Sequence, residues 1–546
     1  MSPPSAIYST NFAETLSVAM NDFHEALTKR WREKYVEVVA GGEYSYDYPT
    51  VIQRPTSPTA LTLWNAHATA ARHHLVNGDC QYVQWVEGGQ QGSLSAVTCP
   101  GNTGVNEPTD VLGTPADGGE MVTVPPQIRC GMGDNLKLID EWAYGERDNV
   151  YFKMPLFDTH DLRALKDAYD DLVKIGGDLG LNQPVKDGKF DGVSEDDLSN
   201  QVTVLGDERG QGQDFWAGWT GLAASRAKEG FFASVLPSMT NQSGIAGSLA
   251  NLYATRAAII QKARNDTLYW SQWATKACSA EATVKTDLRE GWAVVSGIGA
   301  AVGVYSSFTG VGAAAGATIS LVGFLGEKLL PEVKQQEYTH EIEEIVNTLN
   351  SQIDGLGRKL SDMESEYSAK VTELQNGLNG VHSYNLELYD LTKNNAQGDR
   401  GGDDKGYEAE IEDILQISKV CYNVGEQYDA LAPKVDDTED ADKSLADQDG
   451  KATTADTALQ QLRDQFSGFL STSTGRYVLA AQQVEAAAED YAATDDGRQH
   501  AFDRIMGDWE DAGVGDIDVR GNPEDDARAT DRGGGKPGKG DGEEYE

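Results

Sequence analysis

Apolar side chains recur at spacings of three and four over most of this chain, and one early region departs from that rhythm. Phe12, Leu16, Met20, Phe23, Leu27 and Trp31 predict a helix over 11–40. From Gly42 to Cys130 the pattern breaks into an extended Tyr-rich piece (YSYDYPTVI), a short helix around Ala60 to Val76, and a hairpin. In that hairpin, QYVQWVEGGQQGSLSAVT sets a Gly-Gly turn between two strand-like runs. The helical rhythm returns after Asp158 with Leu162, Leu165, Tyr169, Leu172 and Ile175, and resumes beyond a polar loop from Phe215 to Ser279.

A second helical block follows Pro331. Ile342, Ile345, Leu349, Ile353, Leu356, Leu360, Met363, Tyr367, Val371, Leu374, Leu378 and Val381 step at about 3.5 residues, the coiled-coil period. Two places step by four twice in succession, which unwinds a supercoil locally and fits an antiparallel bundle within one chain better than a long parallel homodimer. Helices are also expected over Tyr407 to Leu431 and Asp456 to Ala493, with an acidic linker between them. A Gly/Asp/Glu tail after Asp511 is expected to be disordered.

Between Glu290 and Glu327 lie 36 consecutive uncharged residues, Gly291 to Gly326, in a chain of which 24% is charged. That length holds one crossing helix of about 20 residues, or a hairpin of two shorter ones. Gly299 and Gly303, then Gly312 and Gly316, place small residues one turn apart, where helix backbones approach closely. Three readings stand: a glycine-rich hairpin sheltered in a soluble bundle, a segment that enters lipid, and a mostly irregular linker.

The 39% hydrophobic content supports real cores across 546 residues. A formal charge of −42 repels phosphate backbones, so nucleic acid is not an expected partner. The acidity suits either a secreted, very soluble protein or one adapted to high salt. The N-terminus has no basic region followed by an apolar one, so a classical signal peptide is not expected. Five widely spread cysteines match no zinc spacing; Cys80 and Cys99 flank the hairpin and are either a disulfide or two free thiols.

Other chemistry is sparse. Asp187 to Leu198 resembles an EF-hand calcium loop, but Lys189 holds a ligand position, so an acidic turn leading into a helix is the better reading. His67, His73 and His74, on or beside the short helix, read as ordinary histidines. No catalytic motif assembles, and neither an enzyme nor a cofactor is expected.

Two elements carry a resemblance. Trp216-Ala217-Gly218 and Trp219-Thr220-Gly221 stand between helical stretches, and Tyr491 and Asp495 close an Ala-rich helix at spacing i, i+4. The chain thereby resembles WXG-type substrates of type VII (ESX) secretion, with Trp216, Gly218, Trp219 and Gly221 as a hairpin turn and Tyr491 with Asp495 as an export signal. The resemblance implies a secreted or cell-surface protein whose partners include the export machinery. The order helix, apolar hairpin, long coiled helix is also similar in architecture to α-helical pore-forming toxins, which implies a membrane partner and a homo-oligomer. A structural component of a phage or extracellular assembly is the third reading.

The expected fold is mainly α: an elongated multi-helix bundle or coiled coil with a small α+β N-terminal region and a disordered acidic tail. Its expected parts are 1–150 (mixed α+β), 151–290 (WXG-like hairpin), 291–331 (apolar hairpin), 332–432 (coiled coil), 433–455 (linker), 456–511 (C-terminal helix) and 512–546 (tail).

Overall fold

The computed structural model describes residues 6–40, 51–54, 73–76, 79–86, 93–98, 120–123, 131–180, 185–186, 189–190, 197–206, 219, 224, 227–279, 341–379, 384–388, 410–493, 496–512, 514, 519 and 523–528. The helices are α1 (Phe12–Ala40), α2 (Gly131–Tyr151), α3 (Leu162–Asp178), α4 (Leu198–Gly206), α5 (Ala233–Ser279), α6 (Ile342–Asn379), α7 (Tyr384–Glu387), α8 (Ile411–Asp429), α9 (Ala432–Asp436), α10 (Thr454–Ala492), α11 (Asp496–Ala512) and α12 (Pro523–Arg528). Strand pairing is short and antiparallel. β1 (Val51–Arg54) pairs with β5 (Glu120–Thr123), β3 (Asp79–Val86) lies between β2 (His73–Val76) and β4 (Ser93–Thr98), and β6 (Val185–Lys186) pairs with β7 (Lys189–Phe190).

Helix α5 is the spine. Its 47 residues extend about 70 Å, and Leu249 to Arg264 are buried without interruption, so this stretch is covered on every side. Such a helix has no amphipathic stripe because neighbours surround it. Its first two thirds join one core with α3, α4, α8, α10 and Leu356 to Leu378 of α6. Its last turns, Leu268 to Cys278, join a second core with α1, α2 and Ile342 to Ile353 of α6. Because the end of α5 meets the start of α6, the two helices run antiparallel.

Each remaining helix packs by its apolar face. In α6 all eleven predicted positions from Ile342 to Leu378 are buried, and Val381 lies outside the described residues. Helix α1 buries Phe12, Leu16, Met20, Phe23 and Leu27 fully, while its first turn receives Asp158, whose carboxylate accepts from the Ala13 N–H at 2.6 Å. Helices α8 and α10 are antiparallel: the Ser418 hydroxyl donates to the Ala481 carbonyl at 2.9 Å, and Tyr428 stacks on Tyr477 at 5.3 Å. Thr453 and Asp456 cap α10 reciprocally.

Several elements differ from expectation. Residues 73–76 form β2 instead of ending a helix, because they pair with β3. Helix α2 occupies 131–151, where no helix is expected; among its described side chains it buries Ile139, Ala143 and Val150, too few to mark a face. The described long helix at α5 begins at Ala233, behind a π turn at Lys228–Phe232. The acidic stretch 433–455 is folded: α9 and a 3-10 helix, Asp437–Ser444, bury Val435, Ala441 and Leu445. Part of the expected tail is also ordered, since α12 packs on α10, and the C-terminal helix is two helices, α10 and α11.

Gly475 explains the seat of α12. A Cβ there would lie 2.6 Å from both the Ala527 nitrogen and the Pro523 carbonyl oxygen, which are backbone atoms that cannot swing aside. Gly475→Ala is expected to displace α12 and cost about 2 kcal/mol in denaturant unfolding. Gly357→Ala, with nothing within 4 Å, is expected to stabilise by about 0.5 kcal/mol. Equal effects of the two substitutions would refute the close approach.

Candidate functional site: a buried charged layer and the end of the helical hairpin

The spine passes two guanidinium groups through the core. Arg264 is fully buried and donates to three carbonyls, Ile7 at 2.6 Å, Phe157 at 2.6 Å and His160 at 2.8 Å, with its charge 5.2 Å from the Phe12 ring. Burial pulls its pKa down to about 10, against the nearby carboxylates of Asp158 and Asp161. Phe157 has a φ of 47°, and its carbonyl accepts from the His160 N–H at 3.2 Å as well as from Arg264.

Two turns earlier, Arg256 pairs with Glu364 and so ties α5 to α6. Its charge lies 5.6 Å from the Phe157 ring and 5.7 Å from the Tyr367 ring, while Nε and Nη2 find no acceptor among the described residues. Burial raises the Glu364 pKa in spite of Arg256, and burial also raises Asp456 nearby. His160 completes the layer. Its Nε2 meets the Ala446 carbonyl at 2.8 Å. Burial above all holds its pKa below the ordinary 6.5, with Arg256 and Arg264 adding repulsion against the Ala446 and Phe157 hydrogen bonds.

A second arginine staple lies at the other end. Arg476 donates to the carbonyls of Glu387 at 2.9 Å, Leu388 at 2.6 Å and Ala527 at 3.0 Å, and Leu388 has a φ of 71°. Arg463 binds the carboxylates of Asp442 at 2.6 Å and Asp464 at 2.7 Å, which neutralises the folded acidic segment against α10. Sequence reasoning missed all four arginines. One signal was present: Gly230 to Thr255 carries no charge, so Arg256 closes an uncharged stretch that a core could absorb.

The end of the α5–α6 hairpin is aromatic. Trp31 and Trp142 meet edge to face at 6.2 Å, and Tyr269, Trp270 and Trp273 follow one another along α5. Among the described residues no helix is long and apolar enough to cross a membrane, and no cluster of His, Cys, Asp or Glu could hold a metal ion.

The expected site residues are scattered. Tyr491 is half-buried in the last turn of α10, packed on the main core, and Trp219 is buried in the same core. Cys80 stands on β3, paired with Leu75 of β2. Asp495, Trp216, Gly218, Gly221, Cys99, Gly299, Gly303, Gly312 and Gly316 lie outside the described residues, as do His67 and most of 187–198. His73 and His74 are on β2, and α4 begins at Leu198. No known protein family, curated protein or solved structure matches the chain.

The charged layer has a pH consequence. A His held below its ordinary pKa binds its proton more readily in the unfolded chain, so stability falls as pH drops below about 6.5. Glu364 and Asp456, held above their ordinary values, act oppositely and gain stability as pH falls toward the normal carboxylate range. The melting temperature is therefore expected to drop between about pH 7 and about pH 5.5 in wild type and to flatten in His160→Gln. An unchanged slope in that variant would remove His160 as the cause. Glu364→Gln is expected to cost about 2 kcal/mol, and Arg256→Met/Glu364→Leu to recover most of it, measured by denaturant unfolding.

Proposed function

We propose that this protein is a non-enzymatic helical bundle that delivers the apolar run Gly291–Gly326 to a membrane. The observation that supports this best is topological. The run is joined to α5 and α6, two long helices that pack antiparallel with Ser279 and Ile342 at the same end of the bundle. The helices that flank the intervening segment thus end and begin at one place, and the 36 uncharged residues within that segment are enough for one crossing or a tight helical hairpin. In lipid, Gly299, Gly303, Gly312 and Gly316 would bring neighbouring helices into contact, within one chain or between copies in an oligomer. The tryptophans near that end suit a bilayer interface.

Secretion without a classical signal peptide is the companion proposal. Tyr491 supports it by standing in the last turn of α10, where Asp495 would follow one turn later as an export epitope. The region 1–150, proposed as a small α+β unit in which Cys80 and Cys99 bridge the hairpin, would serve protein partners.

Dye release from liposomes at nanomolar to micromolar protein tests the membrane reading. Wild type is expected to release dye, and Val304→Asp to abolish release with helical content unchanged, because a charge at mid-bilayer costs about 3 kcal/mol. Absence of release across lipid compositions and pH, or full activity of Val304→Asp, would overturn it. In the native host, Tyr491→Ala is expected to abolish export; normal secretion of that variant would defeat the export proposal.

A further inference from the structure

We infer that α12 is an internal ligand: it docks reversibly in a socket formed by Gly475, Arg476 and the Glu387–Leu388 carbonyls, and that socket binds a short helical peptide with a small residue at the position of Ala527 whenever α12 leaves. The socket recognises backbone. Gly475 leaves open the space a Cβ would fill, and α12 brings the Ala527 nitrogen, the Pro523 carbonyl oxygen and the Asp526 Cβ against it. Arg476, the next residue of α10, donates its Nε to the Ala527 carbonyl at 3.0 Å and its Nη1 to the carbonyls of Glu387 and Leu388. The Glu387 carboxylate lies 3.6 Å from the same guanidinium and offsets its charge, so a docking peptide meets a neutral pair. The Leu388 N–H donates to Ser238 at 3.2 Å, which sets the socket beside the start of α5, at the far end of that helix from the apolar run.

Helix α12 lacks the anchors of a core element. A permanently packed terminal strap turns large apolar side chains inward, as α11 does with Phe502 and Trp509. Among the described side chains of α12, Ala527 is fully buried and Asp526 nearly so, Pro523 is half-buried, and Glu524 and Asp525 are exposed. Its apolar hold is thus one methyl group and part of a proline ring. Six residues are also about half the length at which an isolated helix keeps its form in water, so α12 owes its helix to the socket.

What keeps α12 in place is its tether. Val514 closes α11 through its N–H to the Trp509 carbonyl at 2.9 Å, and Val514 and Val519 both pack on the main core. Residues 520–522 alone separate Val519 from α12. So short a tether holds the segment at an effective concentration of about 1 mM. A socket that binds the free peptide with a Kd of about 50 µM is then about 95% filled by its own α12, and about one molecule in twenty stands open.

Fluorescence anisotropy with a labelled peptide of residues 521–530, GNPEDDARAT, tests the socket on the full chain. Because Ala527 is fully buried, Ala527→Arg is expected to undock α12 and to bind the peptide with a Kd of about 50 µM. Wild type is expected to bind it about twentyfold more weakly, since its own segment competes. Adding Gly475→Ala to Ala527→Arg is expected to weaken binding about tenfold with unchanged circular dichroism. No binding to Ala527→Arg, or equal binding to all three proteins, would overturn the inference. Thiol labelling of Ala527→Cys, a nearly isosteric change read by mass spectrometry at that position, checks reversibility without a disruptive side chain. The thiol is expected to react at about one twentieth of its rate in the free peptide. Labelling only on global unfolding would make α12 a permanent strap, and labelling at the free-peptide rate would show that it does not dock; either result defeats the inference.

Discussion

Arg264 is the constraint around which the bundle closes. Only arginine brings several donors in a fixed fork on a side chain long enough to leave the surface of a fully surrounded helix. It spends them on backbone oxygens from two separate stretches, one before α1 and two in the α2–α3 connection. The Phe157 carbonyl also accepts from the His160 N–H, while a buried carbonyl left with no donor costs about 1 to 3 kcal/mol. Arg476 repeats the device for the segment after α7 and for α12. In both cases the served segment contains a non-glycine residue with positive φ, Phe157 or Leu388. The arginines thus permit irregular backbone inside a helical core.

Legibility in the sequence followed the number of faces a helix buries. Helices α1, α3, α6, α8 and α10 repeat their apolar residues at threes and fours, and those positions are the buried ones except for the half-buried Trp31 and Tyr491. Helix α2 leans on its neighbours through few apolar contacts among its described side chains and leaves Leu138 and Tyr144 exposed, so its pattern is inverted in part. The acidic 433–455 stretch reads as a linker because its acids outnumber its apolar residues. What makes it fold is Arg463, far enough along the chain that no local window contains both partners. The charged layer was hidden for the same reason: Arg256, Glu364 and His160 come from three distant segments, and only the fold brings them together.

Composition and interior chemistry point in opposite directions here. The chain as a whole is strongly anionic, yet its buried charges are chiefly guanidinium groups that neutralise carbonyl dipoles and a few carboxylates. Among the described residues, the buried acids are Glu387, Asp456 and Asp526; the others reach the surface, where they keep copies of the chain apart.

The pairing of α1 with α5 also sets the timetable of synthesis. Met20 meets Ser271, and the Ile7 carbonyl meets Arg264, across separations of 251 and 257 residues. At about 5 to 20 residues per second, a nascent α1 waits roughly 10 to 50 seconds with Phe12, Leu16, Met20, Phe23 and Leu27 uncovered before its partner leaves the ribosome. The first helix made is among the last to be buried.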